Sequence, residues 1–85
     1  MRDFVDECLE HKPEERTQAN QILDLYLNWW DKNVGGNPRN RPSKTYVGIQ
    51  LSYILRNKSR VGGKVYYFDY VIKDDANSEY VLKTG

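Results

Sequence analysis

The residues best suited to chemistry in this chain are cations. Between Arg39 and Lys64 the sequence reads RNRPSKTYVGIQLSYILRNKSRVGGK, which carries Arg39, Arg41, Lys44, Arg56, Lys58, Arg60 and Lys64 and no acid. Lys and Arg at this density neutralise a phosphate backbone and release its counterions, and four to six such contacts give a salt slope of roughly −4 to −5. Arg39 and Arg41 precede a helix start, where free backbone N–H groups also favour a phosphate. Lys44, Thr45 and Ser52, with Gln50 as a marginal addition, are assigned to the groove-facing side of that helix; Gln suits adenine and Lys guanine. Lys58, Arg60 and Lys64 surround the tip of a ribbon and would meet the adjacent groove or backbone. The competing reading is that the same cations solubilise a domain that binds protein.

Other chemistry is weaker. Tyr66, Tyr67, Phe68 and Tyr70 could stack bases as single-strand binders do, but four aromatics in one strand more often form core and cross-strand pairs. Strict alternation puts 66, 68, 70 and 72 toward the helices, which leaves Tyr67 as the one candidate contact. Duplex DNA is therefore expected ahead of single strands. Cys8 and His11 have ligand-like spacing, yet the chain has no other Cys or His to complete a zinc site. His11 has no orienting partner that would make it a base for Cys8. Asp74-Asp75 reads as turn chemistry, Gly35-Gly36 as a helix stop and Gly62-Gly63 as a hairpin turn. No catalytic residue, metal, cofactor or small-molecule substrate is expected.

The elements that must position these cations fit one domain of 85 residues. Apolar residues make up 39% of the chain and include seven Tyr, two Phe and two Trp, enough for a modest core without disulfides. The single cysteine suits a reducing compartment. No apolar run is long enough to span a membrane and no signal peptide opens the chain, so a cytoplasmic location is expected. Charge is segregated along the sequence. Residues 1–31 hold eight acids against three bases, 32–64 eight bases and no acid, and 65–85 four acids against two bases.

Apolar spacing predicts a short helix over 3–11 from Phe4, Val5, Cys8 and Leu9, followed by a bend or very short strand over 12–16. A second helix, 18–33, starts from Thr17 as N-cap and carries an apolar arc wide enough to be central. A third, 43–55, presents Val47, Leu51 and Ile54 along one stripe with Tyr46, Ile49 and Tyr53 beside it. Gly48 in this helix would allow close approach of the second helix. Period-two spacing then gives a hairpin over 56–72. Residues 74–78 read as a turn, and 79–83 as an extra strand or a trailing end. The order predicts an α+β winged helix-turn-helix, three helices packed on a small antiparallel hairpin sheet.

Some positions also resemble a known family. Phe4-Val5-Asp6-Glu7-Cys8, then Ile22-Leu23, Tyr26 and Trp29, then Val47-Gly48 with Leu51, and finally Gly63-Lys64-Val65-Tyr66-Tyr67 and Val71-Ile72 follow one pattern. It is similar to that of the carboxy-terminal winged-helix domain of phage, plasmid and mobile-element primase–helicases with a superfamily 3 (poxvirus-like) helicase core. The similarity covers residues 4–73; Val47 stands where the family commonly has Phe, and Trp30 where it has Cys. The resemblance implies a fragment of a larger replication protein. It would engage DNA beside its parent's helicase domain, with the ATPase and primase activities upstream. Two other functions compete: a protein-interaction module docking a replication partner through its acidic helices, and a stand-alone transcription regulator.

Overall fold

The computed structural model describes residues 2–80. Its elements are α1 (Arg2–Cys8), β1 (Leu9–Gln18), α2 (Ala19–Asn33), a 3-10 turn (Pro38–Asn40), α3 (Lys44–Ile54), β2 (Lys58–Val61), β3 (Lys64–Ile72) and α4 (Asp74–Tyr80). Among the described residues this is an α+β arrangement of four α-helices and one three-stranded antiparallel sheet, ordered β1-β3-β2.

Phe4, Val5 and Cys8 form the buried face of α1, as their spacing requires. The helix ends at Cys8 rather than at residue 11, because Leu9, Glu10 and His11 pair with Ile72, Val71 and Tyr70. A helix this short is marginal by itself, so a strand partner outweighs one more turn. Residues 12–16, expected as a bend or very short strand, lie within the ten residues of β1. Pro13 is tolerated there because β1 is an edge strand whose ladder is interrupted between His11 and Arg16.

That interruption decides which side chains face the core. Residues 12–15 of β1 stand against Asp69 alone, and both Glu14 and Asp69 take positive φ, 75° and 70°. The Asp69 carboxylate accepts from the Glu14 backbone N–H at 3.2 Å and from Asn57 Nδ2 at 2.7 Å. The extra residues break strict alternation along β3. Before the bulge Tyr67 points inward and is 1% exposed; after it, Tyr70 and Ile72 pack on the core. Tyr66 and Phe68 lie on the outer face, where the Arg16 guanidinium sits 4.5 Å from the Tyr66 ring centre. The expected inward set of 66, 68, 70 and 72 is thus correct only beyond Asp69, and Tyr67 is core rather than contact.

α2 is the hub. Ile22, Leu25, Leu27 and Trp29 are buried, and Tyr26 and Trp29 meet the Phe4 ring edge-on at 5.0 and 5.7 Å. Its N-cap is Gln18, not Thr17, whose hydroxyl instead donates to the Tyr70 carbonyl at 2.8 Å. The backbone N–H groups of Val34 and Gly35 both close on the Trp30 carbonyl, with Gly35 at φ 60°. In α3 the Ser43 hydroxyl accepts from the Tyr46 N–H at 3.1 Å, fixing the start at Lys44.

The expected turn at 74–78 is the start of α4. Asp74 and Asp75 favour a helix N-terminus, and Ala76 and Tyr80, one turn apart, are buried. Tyr80 donates its hydroxyl proton to Glu7 Oε2 at 3.0 Å, accepts from Asn33 Nδ2 at 3.2 Å, and its carbonyl accepts from Asn28 Nδ2 at 2.7 Å. Lys32 and Glu79 pair at 2.6 Å beside it. Of the strand weighed for 79–83, residues 79 and 80 are helical and 81–83 lie outside the described residues.

The approach expected at Gly48 is looser than close packing: a Cβ there would meet Leu23 Cδ2 at 4.0 Å, ordinary contact. Gly48→Ala should therefore stabilise the fold by about 0.5–1 kcal/mol through helix propensity. Urea unfolding reads this directly, and a loss of stability would mean that α2 and α3 pack more tightly than this contact.

Candidate nucleic-acid interface

β2 pairs with β3 in the register Lys58↔Tyr67, Ser59↔Tyr66, Arg60↔Val65 and Val61↔Lys64. Directly opposed residues share a face of an antiparallel ladder. Lys58 and Arg60 therefore lie on the side of Tyr67 and Val65, the side that α3 covers. The Tyr67 hydroxyl reaches the Gly48 carbonyl at 3.5 Å, and burial raises its pKa. An aromatic ring buried under α3 thus fixes how the ribbon sits beside that helix.

Between them runs an open groove of about 390 Å³, lined among others by Lys44, Thr45, Ile49 and Lys58. It is continued by a shallower one of about 460 Å³ along Arg56, Asn57, Lys58 and Ser59. On its other side a cleft of about 200 Å³ joins Lys64 and Gly63 at the ribbon tip to Gln18 and Asn20 at the start of α2. The fold thereby brings Lys44, Thr45, Lys58 and Lys64 to connected grooves, with Arg60 on the ribbon between them.

The other assigned residues sit differently. Arg39 is exposed in the 3-10 turn, where its N–H donates to Asn37 Oδ1 at 2.9 Å. Arg41 grips Asp31 of α2 through Nε and Nη2, both at 2.9 Å. Lys44 Nζ lies 2.8 Å from Asp24 Oδ1, also on α2. Two cations of the acid-free stretch are thus matched by carboxylates distant in sequence. Both pairs are exposed, so water screens them and each adds at most about 1 kcal/mol. Among the described residues Arg39, Arg56, Lys58, Arg60 and Lys64 form no ion pair. Ser52 does not face the groove freely; it is half-buried, and its hydroxyl donates to the Gly48 carbonyl at 2.8 Å.

Sequence reasoning set three side chains beside the apolar stripe of α3 and gave them no contact role, yet they are exposed. Tyr46, Ile49 and Tyr53 of α3 are 55%, 50% and 69% exposed. A helical wheel carries the signal, since they fall on the arc away from buried Val47, Leu51 and Leu55.

Elsewhere the candidate chemistry is quiet. Cys8 is fully buried, and burial, with Glu7 and Glu79 nearby, pushes its thiol up to about 12. Among the described residues no group of three or more His, Cys, Asp or Glu could hold a metal ion, and no helix is long and apolar enough to cross a membrane. Comparison with protein-family models, curated proteins and solved structures found no match to this chain.

A thiol with its pKa raised to about 12 stays protonated throughout the neutral range. Cys8 should therefore not react with an aromatic disulfide reagent at pH 8 until the domain is unfolded in denaturant. Stoichiometric labelling of the native protein within minutes would show that the α1 contact opens readily.

Proposed function

We propose that this domain binds DNA through α3 and the β2–β3 ribbon, as the terminal accessory module of a replicative helicase–primase. The observation that carries the reading is the ribbon register: Lys58 and Arg60 lie on the α3 side, and Lys58 shares connected grooves with Lys44, Thr45 and Lys64. The element order α1-β1-α2-α3-β2-β3 and the sheet order β1-β3-β2 agree with a winged helix-turn-helix, in which a helix and a ribbon address nucleic acid together. The link to a helicase–primase rests on the residue resemblance alone. In this reading the module carries no catalytic group, and the parent's helicase domain is its neighbour.

A second reading rests on α4, which packs against α1, so that exposed Asp74 and Asp75 join exposed Asp3 and Asp6 on one helix pair, while Glu79 is already matched by Lys32. Those carboxylates suit a basic protein partner.

Salt-titrated binding of the 85-residue chain to labelled DNA tests the first reading. Lys58→Glu with Arg60→Glu should lower affinity at least about tenfold and flatten the salt slope by about 2. Asp24→Asn with Asp31→Asn frees Lys44 and Arg41 and should tighten binding and steepen the slope by about 2. Unchanged affinity in both double variants would count against this surface.

A further inference from the structure

We propose that the exposed face of α3 takes single-stranded DNA, stacking bases on Tyr46 and Tyr53 with Ile49 between them. The inference rests on the DNA-binding reading and specifies the form of DNA that this surface fits.

Tyr46 and Tyr53 are seven positions apart, two turns of one helix face, which separates them by roughly 10.5 Å along the axis. A stacked strand covers that distance in about three base steps. Both rings are more than half exposed, and so large an aromatic surface is not needed for this core, which is complete beneath Val47, Leu51 and Leu55. The other surface rings are less available: Tyr66 and Phe68 lie under the Arg16 guanidinium, at 4.5 and 6.0 Å. Charge complementarity selects the occupant. α3 itself has no acid, and the groove along one flank leads to Lys58, Arg56 and the ribbon. A second copy of this chain docking here through a two-fold axis would set like cations against one another. Duplex DNA hides its ring faces in the stack and shows groove edges, where apolar side chains find little beyond thymine methyls. An unpaired strand offers ring faces to Tyr46 and Tyr53 and phosphates to the flanking cations.

Fluorescence anisotropy with labelled dT20 and a blunt 20-base-pair duplex, each titrated with salt, tests this on the full chain. The expected result is at least about tenfold tighter binding of dT20 than of duplex. Tyr46→Ala with Tyr53→Ala should weaken dT20 binding at least about tenfold. Tyr46→Phe with Tyr53→Phe keeps the ring faces and should stay within about twofold. Thermal melts of both variants should match the parent, because neither side chain is core. Equal dT20 affinity for the Ala and parent proteins, or a preference for duplex, overturns the inference. If duplex binding is then still lost on Lys58→Glu with Arg60→Glu, the DNA-binding reading stands and only the stacking falls. If the parent binds neither probe, both fall. Concentration-dependent self-association abolished by the Ala pair would identify a second copy as the occupant and also overturn it, as would tighter binding of rU20 than of dT20.

Discussion

The structure turns on Asp69. A non-glycine residue at positive φ is uncommon, and Asp is among the few side chains that tolerate it. Its carboxylate holds the bulged segment of β1 through Glu14 and the α3–β2 connection through Asn57. One side chain therefore joins the amino-terminal edge of the sheet to the approach of the ribbon. The bulge shifts the alternation of β3, so Tyr67 enters the core below α3 while Tyr70 and Ile72 still face inward beyond it. Without that shift the same strand would bury Tyr66 and Phe68, and the opposed cations of β2 would turn away from α3.

Much of this fold was legible because its strongest signals are local. The apolar arc from Ile22 to Trp30 specifies α2, the stripe of Val47 and Leu51 specifies α3, and Gly62-Gly63 sets the hairpin. What was missed depends on partners distant in sequence. Leu9, Glu10 and His11 continue a helical pattern and become a strand only because β3 is present to pair with them. Residues 74–78 look like a turn until Ala76 and Tyr80 find α1 and α2, with Glu7, Asn28 and Asn33 satisfying Tyr80. The bulge left a trace only in Pro13 and Asp69, one unable to donate to a ladder and the other a poor strand former.

The candidate surface shows the same limit. A stretch without acids along the chain is not a surface without acids in space, since α2 presents Asp24 to Lys44 and Asp31 to Arg41. Cations near the start of α3 are thereby partly neutralised, while those of the ribbon are not paired among the described residues. Positive potential is weighted toward Lys58, Arg60 and Lys64, beside a helix face that is largely apolar. Ser52 reads as polar and groove-facing on a wheel, but the ring of Tyr67 beneath α3 makes its position half-buried.

Everything assigned to the α3–ribbon surface requires Tyr67, not its neighbour, to be the ring locked inside. The direct measurement is urea unfolding of Tyr67→Ala beside Tyr66→Ala. The account predicts a loss of about 3 kcal/mol or more for Tyr67→Ala, the cost of emptying a large core site, and a much smaller loss for Tyr66→Ala. The reverse order would contradict it, returning β3 to unbroken alternation and removing Lys58 and Arg60 from the side of α3.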